Sequence, residues 1–114
     1  MTAARPTTLS THVLDTSRGE PVRGLRVDLA RADTGDRIGS ATTDGDGRAA
    51  AFAEALSAGV YTLTFDTGAY FASTATAHFF PHITVAFTIP DGAASHYHVP
   101  LLLSPFAYST YRGS

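Results

Sequence analysis

The run from His96 to Ser114 reads His-Tyr-His-Val-Pro-Leu-Leu-Leu-Ser-Pro-Phe-Ala-Tyr-Ser-Thr-Tyr-Arg-Gly-Ser and gathers two imidazoles, a guanidinium and several hydroxyls at the end of the chain. Most domains merely fray there. Imidazoles exchange protons near neutral pH, and a guanidinium holds planar or anionic groups. The chain has no cysteine and no Gly-x-Ser-x-Gly elbow, so neither a thiol nor an elbow serine is at hand as nucleophile. Activation of water by a histidine base is the chemistry these groups suit.

Such groups need a scaffold, and the alternation of apolar and polar residues supplies one. Leu25-Arg26-Val27-Asp28-Leu29 and Ile83 to Ile89 alternate with a period of two, as do the runs through Leu9, Thr11 and Val13, through Tyr61, Leu63 and Phe65, and through Tyr97, Val99, Leu101 and Leu103. That period is the mark of a half-buried strand whose odd positions face the core. Further strands are expected near Ile38 to Thr43 and Ala107 to Arg112. Turn residues separate the runs, notably Asp15 to Pro21, Asp33-Thr34-Gly35-Asp36, Asp44-Gly45-Asp46-Gly47, Pro90-Asp91-Gly92 and Ser104-Pro105. One short helix is expected through Ala69 to Ala72, capped by Asp66 or Thr67. The fold class is therefore all-β, an antiparallel sandwich or small barrel in one domain spanning residues 1–114, with Met1 to Pro6 reading as disordered.

Composition narrows the function. A length of 114 residues with 44% hydrophobic residues suits one ordinary core. The formal net charge is -2 with only eight basic side chains, which leaves no basic surface for nucleic acid. The absence of cysteine suits a reducing compartment. Met1 to Thr8 lack a signal-peptide core, no apolar run approaches a membrane span, and the chain does not end in Ser-Lys-Leu. These features lead to the expectation of a cytoplasmic protein with no nucleic acid and no membrane as partner.

With odd residues inward, Ser10, His12 and Leu14 share the outer face of one strand, and His96, His98, Pro100 and Leu102 that of another. This face is not built for water, since exposed Leu14, Pro100 and Leu102 would each forgo burial at about 25 cal/mol per Å². A second subunit is expected to cover it. Cover would place His12 and His98 in a cleft of low dielectric, where desolvation and a nearby Arg keep imidazole uncharged and basic. Taken alone, a strand histidine is more often a hydrogen-bonded interface residue than a catalyst. His12, His96 and His98 also make up a three-imidazole zinc set on paper, but no acidic partners cluster near them and the expectation is a metal-free site. His78 and His82 have helical pair spacing broken by Pro81, and read as surface or interface residues. Asp44-Gly45-Asp46-Gly47 lacks the remaining ligands of a calcium loop and reads as a hairpin turn.

The ending Tyr111-Arg112-Gly113-Ser114, the His-x-His-Val-Pro run and the opening stretch Leu9-Ser10-Thr11-His12-Val13-Leu14-Asp15-Thr16 together resemble the 5-hydroxyisourate hydrolases, the enzymatic branch of the transthyretin family. The resemblance spans nearly the whole chain, including Phe80-Pro81-His82, and is most specific at the two ends. It implies a transthyretin-like antiparallel β-sandwich of two sheets with one short helix. It also implies His12 and His98 as catalytic, joined by Arg48, which follows the acidic, Gly-containing turn as the family's catalytic Arg does. Transthyretin proper lacks the two imidazoles and the Tyr-Arg-Gly-Ser ending.

The implied activity is hydrolysis of 5-hydroxyisourate to 2-oxo-4-hydroxy-4-carboxy-5-ureidoimidazoline, in urate degradation, without metal or organic cofactor. The implied assembly is a homotetramer with its sites at the dimer-dimer interface. By the same resemblance Tyr111, Arg112, Gly113 and Ser114 contact substrate, although alternation leaves open whether Tyr111 or the Arg112 and Ser114 pair faces the cleft. The alternative reading is a carrier of a flat aromatic molecule, which would need an open, apolar-walled channel instead of these polar groups.

Overall fold

Side chains that alternate in polarity can bury one face of a strand, and the strands of this chain do so around a shared core. A computed structural model of the protein describes residues 7–50, 52, 55–92 and 96–113. Met1 to Pro6 and Ser114 lie outside the described residues. In chain order the elements are β1 (Thr8–Asp15), β2 (Glu20–Pro21), β3 (Arg26–Arg31), β4 (Arg37–Thr42), β5 (Arg48–Ala50), β6 (Gly59–Phe65), α1 (Thr67–Ser73), β7 (Ile83–Ile89), β8 (His96–His98), β9 (Leu101–Leu103) and β10 (Tyr108–Thr110).

They form two sheets. The four-stranded sheet runs β4-β3-β6-β7, with every neighbour antiparallel. The six-stranded sheet is built around β1, which pairs antiparallel with β2 and β5 and parallel with β8 and β9, while β10 closes the edge beyond β9. The expected antiparallel sandwich is thus present, with β8 and β9 as its parallel exceptions. The run through Tyr97 to Leu103, expected as one strand, is divided at Val99-Pro100, because proline has no N–H to give the ladder.

Between the sheets lie the residues assigned to the core by parity. Val13, Val27, Leu29, Leu63, Phe65 and Leu101 are fully buried. Thr11 and Asp15 carry polar groups into this interior, and both are satisfied. Thr11 donates its hydroxyl to the Val99 carbonyl at 2.6 Å. Asp15, 1% exposed, accepts from the Ser17 backbone at 3.0 Å, the Ser17 hydroxyl at 2.6 Å and the Tyr70 hydroxyl at 2.7 Å.

That last bond ties the end of β1 to α1, the expected short helix. Asp66 stands at its N-cap without a side-chain capping bond. Burial raises the Asp15 carboxyl, but the Ser17, Tyr70 and Arg18 hydrogen bonds outweigh it and hold the group below its usual value. Burial, with the bond to Asp15, pushes the Tyr70 phenol up to about 12.

Candidate active site

Register on β1 decides what can meet. Ser10 is paired with Ala50 on one side and His98 on the other, and His12 is paired with Arg48. Residues two apart on a strand share a face, and paired residues on neighbouring strands stand about 5 Å apart at Cβ. Ser10, His12, Arg48 and His98 therefore occupy one patch of the six-stranded sheet, drawn from three strands distant in sequence. The three residues expected to be catalytic lie together.

The turn before β5 sets the His12 ring. Asp44 accepts the backbone N–H groups of Asp46 at 2.9 Å and Arg48 at 3.0 Å through one carboxylate oxygen. Those two bonds hold its carboxyl below the usual range against a smaller opposing effect of burial. Gly47 follows at φ +78°, pressed so close to the Val13 carbonyl that an added Cβ would lie 2.5 Å from it. Only glycine fits both demands. The turn is thereby clamped on β1, and the Asp46 carbonyl comes within 2.8 Å of His12 Nε2. A carbonyl only accepts, so Nε2 carries the hydrogen and Nδ1 of neutral His12 is the basic nitrogen.

His98 is half-buried beside this group. Its Nδ1 lies 2.8 Å from Ser10 Oγ, while the Gly113 N–H donates to its backbone carbonyl at 2.8 Å. Burial is the first cause that pulls its pKa below the ordinary imidazole value, and the Arg48, His12 and His96 charges pull the same way. At neutral pH this ring is an uncharged base. Arg48 makes no ion pair among the described residues, and with Ser10, Asp44 and His98 it lines a shallow depression of about 170 Å³. An unpaired guanidinium beside a neutral imidazole suits an anionic or electron-rich ring.

The terminal residues separate. Gly113 bridges to His98, whereas Tyr111 and Arg112 line an apolar groove of about 470 Å³ with Val85, Phe87, Tyr97 and Val99. There the Arg112 guanidinium stacks on the Tyr97 ring at 5.2 Å. Within one chain neither Tyr111 nor Arg112 belongs to the depression that holds Arg48 and His98, and Ser114, expected to contact substrate, lies outside the described residues. Pro100, expected on the outer face awaiting a partner, is already buried within its own chain, where its carbonyl accepts the Thr110 hydroxyl at 2.7 Å. Leu14 and Leu102 remain half-exposed.

Sequence reasoning missed Ser10 as a site residue. It lies two residues from His12 on the same face, which was the available signal, but its bonds to two imidazoles depend on the parallel pairing of β1 with β8. Elsewhere, His78 Nδ1 donates to the Thr76 carbonyl of its own loop at 2.9 Å and the ring stacks on Phe71, while His82 is exposed. Among the described residues no group of three or more His, Cys, Asp or Glu is arranged to hold a metal ion. No helix among them is long and apolar enough to cross a membrane.

Comparison with known proteins identifies the family of the fold. The family model described as HIUase/Transthyretin family matches residues 9–113. A Deinococcus radiodurans protein named 5-hydroxyisourate hydrolase is 46% identical, with 93% of this chain and 95% of that one covered. The Klebsiella pneumoniae 5-hydroxyisourate hydrolase structure superposes with a TM-score of 0.83 at 40% identity, covering 95% of this chain and 94% of that one. Sea bream transthyretin in complex with thyroxine superposes with a TM-score of 0.82 at 31% identity, covering 92% and 93%.

Proposed function

This chain belongs to the HIUase/transthyretin family, and we propose that it hydrolyses 5-hydroxyisourate to 2-oxo-4-hydroxy-4-carboxy-5-ureidoimidazoline. The observation that carries the proposal is the meeting of His12, Arg48 and His98 on one patch of β1, β5 and β8. A carrier of a flat aromatic molecule has no use for the Arg48 guanidinium, which makes no ion pair among the described residues, beside two histidines. A hydrolase does.

In this reading water attacks a ring carbonyl while an uncharged histidine removes its proton. The C–O bond forms, the ring C–N bond breaks, the carbonyl carbon becomes the carboxyl group, and the departing nitrogen takes the proton back. His98 and His12 position and deprotonate the water through Nε2 and Nδ1 respectively. Arg48 binds the electron-rich ring and offsets charge developing on the attacked oxygen. Gly113 pairs with His98 at the edge of β8, and Tyr111, Arg112, Gly113 and Ser114 contribute to substrate contact in the assembled protein.

A homotetramer completes the site, with the depression facing a second dimer. Arg48 is exposed and His12 and His98 only half-buried in one chain, so a facing subunit would supply the water exclusion that strengthens these interactions. A cytoplasmic location accords with a chain free of cysteine. The deciding experiment follows the decay of freshly generated 5-hydroxyisourate by absorbance with and without the protein. Acceleration proportional to protein concentration is expected, and decay at the spontaneous rate would remove the activity.

A further inference from the structure

Ser10 Oγ stands between two imidazole rings, 2.8 Å from Nδ1 of His98 and 2.8 Å from Nε2 of His96. Beyond it, Nδ1 of His96 lies 2.6 Å from the Thr8 hydroxyl. The spacing comes from register, since Thr8 is paired with His96 and Ser10 with His98 along β1 and β8. Four polar side chains thus form one line, from the half-buried His98 through Ser10 and the exposed His96 to Thr8.

A hydroxyl owns a single proton, so Ser10 donates to one ring and accepts from the other. The line is therefore polarised in one of two senses. If Ser10 donates to His98, the remaining hydrogen of that neutral ring sits on Nε2, in a cleft lined by Arg48 and Asp44 where the guanidinium disfavours a further positive group at His98. If His98 donates to Ser10, Nε2 keeps its lone pair for the cleft that Arg48 lines, and the serine proton points at His96. Electrostatics favours the second sense.

We propose that Ser10 and His96 form a proton relay behind His98, with Ser10 as a positioning residue that fixes the His98 tautomer and His96 as the group that takes up the charge. This rests on the hydrolase reading above. When Nε2 of His98 removes a proton from the attacking water, the Nδ1 proton passes to Ser10 Oγ and the serine proton passes to Nε2 of His96, which keeps its own Nδ1 proton toward Thr8. His98 ends neutral, Ser10 ends a hydroxyl, and the positive charge resides on His96 while the tetrahedral adduct carries the negative one. Collapse of the adduct returns the proton by the same route to the leaving nitrogen. The benefit is electrostatic: the groups facing His98 are Arg48 and Asp44 from the β5 side, His12 from β1 and His96 from its own strand, and a cation at His98 itself would sit beside Arg48 in a partly desolvated place. His96 is open to water, where charge is stabilised.

The test couples nitrogen NMR of the histidine rings with steady-state kinetics on the intact protein. In the wild type, His98 is expected to be protonated at Nδ1 and bare at Nε2. Ser10→Ala is expected to lose that preference and to lower kcat about 10- to 100-fold with KM little changed, short of the ~10² to 10⁴-fold of a general base. Ser10→Thr keeps the hydroxyl and restores both readouts, which a mere packing role for the serine would not do. An Nε2–H tautomer at wild-type His98, or wild-type kcat in Ser10→Ala, overturns the relay. Wild-type protein with the expected tautomer but no acceleration of 5-hydroxyisourate decay would leave the hydrogen-bond line standing and overturn the hydrolase reading instead.

Discussion

Gly113 is packed closely against the His98 side chain: a Cβ added to it would stand 2.6 Å from Cδ2 of the ring and 3.2 Å from Cβ and Cγ. Its backbone is needed for this close approach, and its N–H fixes the same residue through the carbonyl at 2.8 Å. Gly113→Ala must therefore turn the ring or push the terminal segment away. Loss of most 5-hydroxyisourate hydrolysis with an unchanged thermal transition is expected. Removal of residues 111–114 should likewise abolish turnover, and full activity in that truncation would dismiss the terminal segment from the site.

The two imidazoles sit on different strands, and in the proposed mechanism they serve one water. His98→Asn and His12→Asn are each expected to lower kcat by about 10² to 10⁴-fold with the fold intact, the range of a general base. Rates near spontaneous decay in both variants, with native circular dichroism, are the expected result. A variant that keeps wild-type rates takes its residue out of the mechanism.

The pH profile should report the His98 environment. Burial, followed by the Arg48, His12 and His96 charges, lowers this pKa from 6.5, and a general base works only when deprotonated. Activity should consequently persist on the acid side of 6.5 and fall only as pH drops through the depressed value. Replacing Arg48 by Gln removes one of the opposing charges, so the acid limb of the residual activity should move up.

Asp15 and Tyr70 make a separate stability prediction. The carboxyl is held below its usual 3.8 in the fold, so its contribution is present above that pH and is lost as pH falls. The phenol is raised from 10.0 to about 12, so its contribution is complete below pH 10 and is lost as pH rises toward 12. Tyr70→Phe leaves the buried carboxylate one donor short, at a cost of about 1 to 2 kcal/mol near neutral pH. Urea denaturation of the two proteins from acid to alkaline pH measures it, and equal midpoints throughout would show the bond to be dispensable.

Assembly is open to a direct check. Sedimentation of the wild-type protein should give a tetramer, and Leu102→Glu, which places a charge on the half-exposed outer face, should yield smaller species with reduced turnover. A fully active monomer would mean that one chain encloses the site.

Local patterning makes the layers legible in the sequence itself. Leu9, Thr11 and Val13 point inward, as do Tyr61, Leu63 and Phe65, because alternation is a property of each strand alone. The turn at Asp44 to Gly47 and the helix after Phe65 are readable for the same reason. The identities of His12, Arg48 and His98 came from resemblance, and their proximity required more.

Strand pairing is a long-range choice that no single segment encodes. Only the tertiary structure set β8 parallel to β1, so that Ser10 joins His96 to His98. It also divided the run from Tyr97 to Leu103 at Pro100, and sent Gly113 to His98 while Tyr111 and Arg112 went to the groove beside Tyr97. The corner at Ser104 to Ala107 erases the parity of the last strand, and the hydrogen bonds between β9 and β10 restore it. Sequence determined which faces are apolar and which side chains hold protons. Ladder geometry, acting between Ser10 and His98 across a separation of 88 residues, decided which of those protons meet.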